Sequence, residues 1–201
     1  MYISKPKLPR FNPAVLPTEY VSPAADISDD KHPKHYLIPG KVFVTREPAA
    51  ISTIVGSGIA VCLWDSAAGI GGAANFLLPE DCGAELNTKY GNHATRQLLD
   101  ELVARGADAS HIQAKIFGGS EPPTTFSSSS GTLGERNVQV ALQFLDAERI
   151  RLIDQQTGGT NGRKIIFHTD DGRCPTLFAI VAELYRYALG ASNISRTFSA
   201  S

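Results

Sequence analysis

The stretch Ser52-Thr53-Ile54-Val55-Gly56-Ser57-Gly58-Ile59-Ala60-Val61-Cys62-Leu63-Trp64-Asp65 places two β-branched, apolar runs on either side of a glycine break. Runs of Val, Ile and Thr favour strands, and glycine inside such a run marks a bulge, a sharp bend or a close approach of backbone. A fold often exposes a reactive side chain at such a break, yet the centre of this one carries no nucleophile. Downstream, Gly69-Ile70-Gly71-Gly72-Ala73-Ala74-Asn75-Phe76-Leu77-Leu78-Pro79 reads as a turn leading into a second strand of small residues. Two thin strands lying side by side are therefore expected.

Bulk properties narrow the function classes. A chain of 201 residues, 42% apolar and 8% aromatic, can bury one large core and is short for two. The formal net charge of −1 and pI near 6.5 leave no basic surplus for phosphates, so nucleic acid is not an expected partner. Apolar runs are strand-sized and broken by Gly, Pro or charge, and the first residues lack the apolar core of a signal peptide. A cytoplasmic protein without membrane insertion is expected. Three widely spaced cysteines, Cys62, Cys82 and Cys174, fit reduced thiols better than a disulfide framework or a zinc site. Neither a metal nor a cofactor is expected.

Residues 1–38 contain Pro6, Pro9, Pro13, Pro17, Pro23 and Pro33 with few large aliphatic residues, and read as an extended or partly disordered arm. Residues 39–190 read as the folded domain and residues 191–201 as a frayed tail. Strands are expected at 42–45, 53–55, 59–63, 112–117, 150–154 and 163–169, and helices at 90–105, 133–147 and 177–189. Gly106 suits the residue after a helix C-cap and Thr132 an N-cap. Residues 121–131 form a Pro/Ser/Thr loop without core pattern, expected to be mobile. The sum is a layered α/β sandwich of mixed and antiparallel sheets with flanking helices, without the regular βαβ alternation of a nucleotide-binding fold.

Several residues invite chemistry and have plainer readings. Gly69-Ile70-Gly71-Gly72 has no following Lys-Ser/Thr and leads into a strand, so it is read as a turn rather than a phosphate loop. Asp170-Asp171-Gly172 is read as a solvated hairpin turn rather than a carboxylate pair. His168 and Cys174 flank that turn. A two-residue turn sends His168 to the other face, whereas a three-residue turn sets it opposite Cys174, and both registers remain open. Cys62 lies in a buried strand as a small hydrophobe, and Cys82 is read as exposed and incidental. His32, His35, His93 and His111 lack metal-ligand spacing and are read mostly as surface residues.

Five ordered blocks together carry a family resemblance. Gly56-Ser57-x-Ile59-Ala60-Val61-Cys62-Leu63-Trp64-Asp65 with Gly71-Gly72-x-x-x-Phe76-x-Leu78-Pro79 resembles the active-site block of the CheD chemoreceptor glutamine deamidases. Ala114-Lys115-Ile116-Phe117-Gly118-Gly119, Gly134-Glu135-Arg136-Asn137-Val138 and Gly158-Gly159-x-x-Gly162-Arg163-Lys164-Ile165-x-Phe167 resemble later blocks, and Leu16-Pro17-Thr18-Glu19-Tyr20 resembles a leader of some members. The resemblance implies a chemotaxis protein that hydrolyses glutamine side chains of chemoreceptors with a Cys-His-Thr triad, and that can bind a CheC-type phosphatase. Thiolate attack, proton transfer through imidazole and an oxyanion held by backbone N–H groups would be the chemistry. Here the family's Cys position is Gly58, its His position is Asn75, and Ser52 occupies or neighbours its Thr position with Thr53 beside it. Glycine cannot form an acyl-enzyme, and a carboxamide does not accept a proton near neutrality. The expectation is a pseudo-deamidase with a pocket of Ser52, Thr53, Gly56, Ser57, Gly58, Gly72, Asn75 and Phe76. It would bind chemoreceptor cytoplasmic domains or a CheC-type phosphatase. The alternative is an active amidohydrolase with relocated residues, Cys174 with His168.

Overall fold

The computed structural model describes residues 31–81, 83, 85–121 and 131–179. The expected arm up to residue 30, Cys82, most of the Pro/Ser/Thr loop and the C-terminal tail lie outside the described residues. In chain order the elements are β1 (Lys34–Tyr36), β2 (Lys41–Thr45), β3 (Ala50–Val55), β4 (Ile59–Asp65), β5 (Ile70–Phe76), α1 (Gly91–Ala104), β6 (Gln113–Gly118), α2 (Leu133–Ala147), β7 (Arg151–Thr157), β8 (Gly162–His168) and β9 (Thr176–Ala179).

The strands form two sheets, a five-stranded one ordered β2-β5-β4-β6-β7 and a four-stranded one ordered β1-β3-β8-β9. Each is antiparallel except for one parallel pair, β6 with β7 and β1 with β3. Period-two alternation sorts their side chains. In β4, Ala60, Cys62 and Trp64 enter an inter-sheet core with Ile51, Val55, Ile165 and Phe167. Ile59, Val61 and Leu63 face the other way and pack with Leu98, Leu102, Ala141 and Leu145 of the helices. All seven residues of β4 are buried because both of its faces are covered. The architecture is thus sheet, sheet and helix pair, the expected layered α/β sandwich, with both helices on the same side.

Local sequence explains most element boundaries. In α2, Thr132 Oγ1 accepts from Glu135 N (3.2 Å) while Glu135 Oε2 accepts from Thr132 N (2.8 Å), a reciprocal cap on the first turn. α1 ends where Gly106 takes φ +102°, a conformation costly for residues with a Cβ. The small residues of β5 answer to packing, because a Cβ at Gly71 would lie 2.8 Å from Thr169 and one at Gly72 would lie 2.6 Å from Phe43 O. The β4–β5 pairing expected from the two thin strands runs from Ile59 opposite Phe76 to Asp65 opposite Ile70.

Two expectations change. The stretch read as a helix from residue 177 begins instead as β9, which pairs antiparallel with β8 from Ile165 opposite Thr176 to Gly162 opposite Ala179. Residues 180–189 lie outside the described residues. An unpaired edge of β8 offers ladder hydrogen bonds, and over so short an apolar run they outweigh intrinsic helix preference. β7 extends to Thr157 through polar Gln155 and Gln156, because pairing with β6 continues past its apolar start.

Asp65 closes β4 and joins two connections. Its Oδ1 accepts from Ala67 N (2.9 Å) and Ala68 N (3.1 Å), and its Oδ2 from Asp108 N (2.9 Å). Burial pushes the carboxyl up, but the N–H groups of Asp108, Ala68 and Ala67 outweigh it and hold the carboxyl below its usual value. Asp65→Ala leaves three N–H groups without this acceptor and is expected to cost about 1–3 kcal/mol, seen as a lower urea midpoint at unchanged m. Because the folded carboxyl titrates below the unfolded one, its stabilisation is complete above the unfolded value of about 3.9 and fades as pH falls through the folded value. The gap between native and variant stability should therefore be flat between about pH 5 and 7 and narrow below about pH 4.

Candidate functional site

The glycine break at residues 56–58 is the passage of the chain from one sheet to the other, from the end of β3 to the start of β4. A loop crossing between layers must find partners for its backbone groups away from water. Gly56 O accepts from Ser120 N (2.9 Å), Ser57 O from Asn137 Nδ2 (2.8 Å), and Gly58 O from Gly119 N (2.9 Å). Asn137 Nδ2 also donates to Leu77 O (3.0 Å), tying the loop to the exit of β5. The fully buried Asn137 thus reaches from the first turns of α2 into the crossing.

The end of β6 is shaped to fit this loop. Gly118 has φ +119° and Gly119 φ +66°, and a Cβ on Gly118 would collide with Gly58 O. Behind them, Gly118 O accepts from Gly158 N (2.9 Å) and from Arg163 Nη1 (3.3 Å), while Arg163 Nη2 donates to Gly158 O (2.7 Å). The Gly158-Gly159-x-x-Gly162-Arg163 block is therefore a buttress for the crossing. Burial lowers the Arg163 guanidinium from its usual value. Neither Asn137 nor Arg163 was picked out as a site residue from the sequence. The available signals were a carboxamide among the apolar positions of α2 and an arginine next to glycine at the start of a strand.

At the centre, no space exists for the side chain whose absence the sequence flagged. A Cβ at Gly58 would lie 2.5 Å from Phe76 O and 3.6 Å from Leu77 Cα, so backbone of β5 occupies its place. Asn75, 1% exposed, donates from Nδ2 to Thr53 Oγ1 (2.7 Å) and to Ile54 O (3.2 Å). A carbonyl cannot donate, so the nitrogen of the carboxamide must face Ile54 O, and both of its protons are used. Thr53 Oγ1 in turn donates to Leu37 O (2.7 Å). The result is a buried strut from β5 across to β3 and the segment after β1.

The sequence-derived residues divide accordingly. Thr53 and Asn75 come together between the sheets, whereas the loop Gly56-Ser57-Gly58 lies against Phe76 O, the Gly119-Ser120 segment and Asn137 of α2. Between the two candidates for the threonine role, Thr53 meets Asn75, whereas alternation turns Ser52 to the opposite face of β3. The Cβ position of Gly72 and the ring of Phe76 point to the helices, where Gly72 abuts Leu98 Cδ1 at 3.1 Å and Phe76 joins the helix-facing core.

The thiol–imidazole pairing does not form. Ladder bonds from Ile166 N to Pro175 O (3.1 Å) and from His168 N to Arg173 O (2.8 Å) set Cys174 opposite Phe167. The turn spans the four residues Thr169 to Gly172, so neither expected register occurs. Cys174 packs into the inter-sheet core with Cys62, while His168 lies on the other face, edge-on to His32 with centroids 5.6 Å apart. Asp171 accepts from Arg173 N (2.9 Å) within the turn, and Asp170 Oδ2 pairs with His32 Nε2 (3.1 Å), tying the turn to the segment before β1.

A family profile described as CheD chemotactic sensory transduction matches residues 77–176, a span that begins past Gly58 and Asn75. The chain is 44% identical over 137 residues to a probable chemoreceptor glutamine deamidase CheD of Anaeromyxobacter dehalogenans, covering 68% of this chain and 80% of that one. It is 43% identical over 140 residues to the corresponding protein of Trichlorobacter lovleyi, covering 69% and 86%. It is 38% identical over 145 residues to that of Sulfurimonas denitrificans, covering 71% and 92%. Among solved structures, a Neisseria meningitidis DUF152 protein overlaps 64% of each chain at 12% identity and a TM-score of 0.42. YlmD of Geobacillus stearothermophilus overlaps 59% of this chain and 51% of its own at 13% identity and a TM-score of 0.39.

The strut is open to a double-mutant cycle. Thr53→Val leaves an Asn75 N–H and Leu37 O without their partner and is expected to cost about 1–3 kcal/mol in chemical unfolding. Adding Asn75→Leu to Thr53→Val should cost less than the two separate losses combined, since one loss then removes what the other left unsatisfied.

Proposed function

This chain belongs to the CheD family, and from that premise we propose that it is a chemotaxis protein that binds chemoreceptor cytoplasmic domains, or a CheC-type phosphatase, without hydrolysing glutamine. The observation that carries this reading is the state of the crossing. Where the family resemblance implies a nucleophilic cysteine, Gly58 stands against Phe76 O, and where it implies a histidine, both amide protons of Asn75 are bound to Thr53 and Ile54. Removal of a nucleophile and its base, acting as a unit, lowers turnover by on the order of a millionfold.

Relocated chemistry gains no support from the geometry. Cys62 is wholly buried and burial pushes its thiol well up, away from the thiolate that attacks an amide. Cys174 and His168 lie on opposite faces of their hairpin. What persists is the frame around the crossing, with Asn137, Gly118, Gly119 and Arg163 holding the loop in one shape. A frame kept without its chemistry suits recognition of a partner surface. The proposed partners place the protein in the cytoplasm, and among the described residues no helix is long and apolar enough to cross a membrane.

Incubation with cytoplasmic fragments of chemoreceptors, followed by peptide mass spectrometry, is expected to leave every glutamine unchanged. Calorimetric titration of the same fragments, or of a CheC-type phosphatase, is expected to give heat. Conversion of glutamine to glutamate that is lost in Cys174→Ala would overturn the non-hydrolytic reading, and an absence of heat with both partners would remove the binding one. Gly58→Cys with Asn75→His should remain inactive, because the backbone of β5 fills the space that the new Cβ requires.

A further inference from the structure

β4 carries a thiol that the crossing does not use. Cys62 lies on the inter-sheet face of β4, and the β8–β9 hairpin brings Cys174 from the other sheet into the same apolar cluster. Both cysteines are free thiols, and they meet in that cluster between the sheets. Their accessibilities differ, since Cys62 is wholly buried whereas Cys174 is only partly covered. Lys115 is the cross-strand neighbour of Cys62 on β6 and holds its Nζ 5.6 Å from the centroid of the Trp64 ring, which places a positive charge beside the buried sulfur.

We propose that Cys62 and Cys174 are a redox pair that closes to a reversible disulfide between the two sheets when the protein meets a peroxide. The reachable sulfur reacts first. The Cys174 thiolate attacks one oxygen of hydrogen peroxide, the O–O bond breaks, and the departing hydroxide takes up a proton as water, leaving a sulfenic acid. The Cys62 sulfur then attacks the Cys174 sulfur, the S–O bond breaks, and the second oxygen leaves as water with the Cys62 proton. Two thiols lose two electrons and one peroxide is reduced to two waters. Burial holds Cys62 as the thiol, so it gives up its proton in this step to the departing oxygen, with Lys115 as its cross-strand neighbour. Closing the bond draws the sulfurs to about 2.05 Å.

The pairing is independent of whether the crossing hydrolyses glutamine, so its test stands apart from the proposed function. The full chain is treated with hydrogen peroxide, alkylated without reductant and cleaved after glutamate, which separates Cys62 from Cys82 at Glu80. The expected result is a linked pair of peptides containing Cys62 and Cys174, lighter by two hydrogen atoms than their sum. Alkylatable thiols should fall from three to one per chain and return to three with dithiothreitol, and Cys82→Ser should keep the link. Full alkylation at all three cysteines after oxidation, a bond to Cys82, or sulfinic acid at Cys174 without a link to Cys62 would overturn the proposal.

Discussion

The structure depends on the double burial of β4. A strand with sheet on one side and helices on the other has no solvent face, so every side chain it carries must fit an apolar layer and every connection into it must leave a crowded region with its polar groups satisfied. The crossing loop at residues 56–58 bears that demand most directly. Its three carbonyls are answered from the Gly119-Ser120 segment just after β6 and from α2, and each answer fixes something further. Gly118 turns where a side chain would strike Gly58 O and Gly119 where one would strike Val138 of α2, and Asn137 holds the loop to the end of β5. Gly158 and Arg163 hold the turning backbone from behind.

The same demand accounts for the state of the crevice. A carboxamide buried between two sheets must place both of its N–H protons, and Asn75 does so on Thr53 and Ile54. It thereby becomes a link between layers, where an imidazole at that position would supply a base. Gly58 is closed rather than vacant, because the Phe76 carbonyl of β5 lies in the space a side chain would take. The two departures are coupled through β5, which contributes both Asn75 and the Phe76 carbonyl. The loop is thus held in one shape around Gly58 and Asn75, which carry neither a nucleophile nor a base.

The inter-sheet layer also brings together residues distant in sequence that no short motif would join. Cys62 and Cys174 meet because the β8–β9 hairpin folds over the face of β4, with Gly172 set against the Trp64 ring and Thr169 against Gly71. His168, one residue along β8 from Phe167, is turned to the opposite face and joins His32 and Asp170 there. A single step in register separates a core thiol pair from a thiol–imidazole pair.

Much of the fold could be read from local pattern. The glycine break and the small-residue strand after it mark the β4–β5 pair, the spacing of Leu98, Leu99 and Leu102 marks α1, and Thr132 with Glu135 marks the start of α2. The absence of sulfur and imidazole at positions 58 and 75 is likewise a property of the sequence alone, since no tertiary arrangement can add atoms to glycine or a basic nitrogen to asparagine. What only the tertiary structure decided is which residues face one another. It set Thr53 rather than Ser52 against Asn75, placed Gly72 and Phe76 toward the helices, drew the residues after Pro175 into a strand, and brought Cys174 rather than His168 into the cluster with Cys62. Periodicity and propensity act over a few residues, whereas register is set by ladders and layers joining distant segments, and a slip of one residue reverses every side chain on a strand.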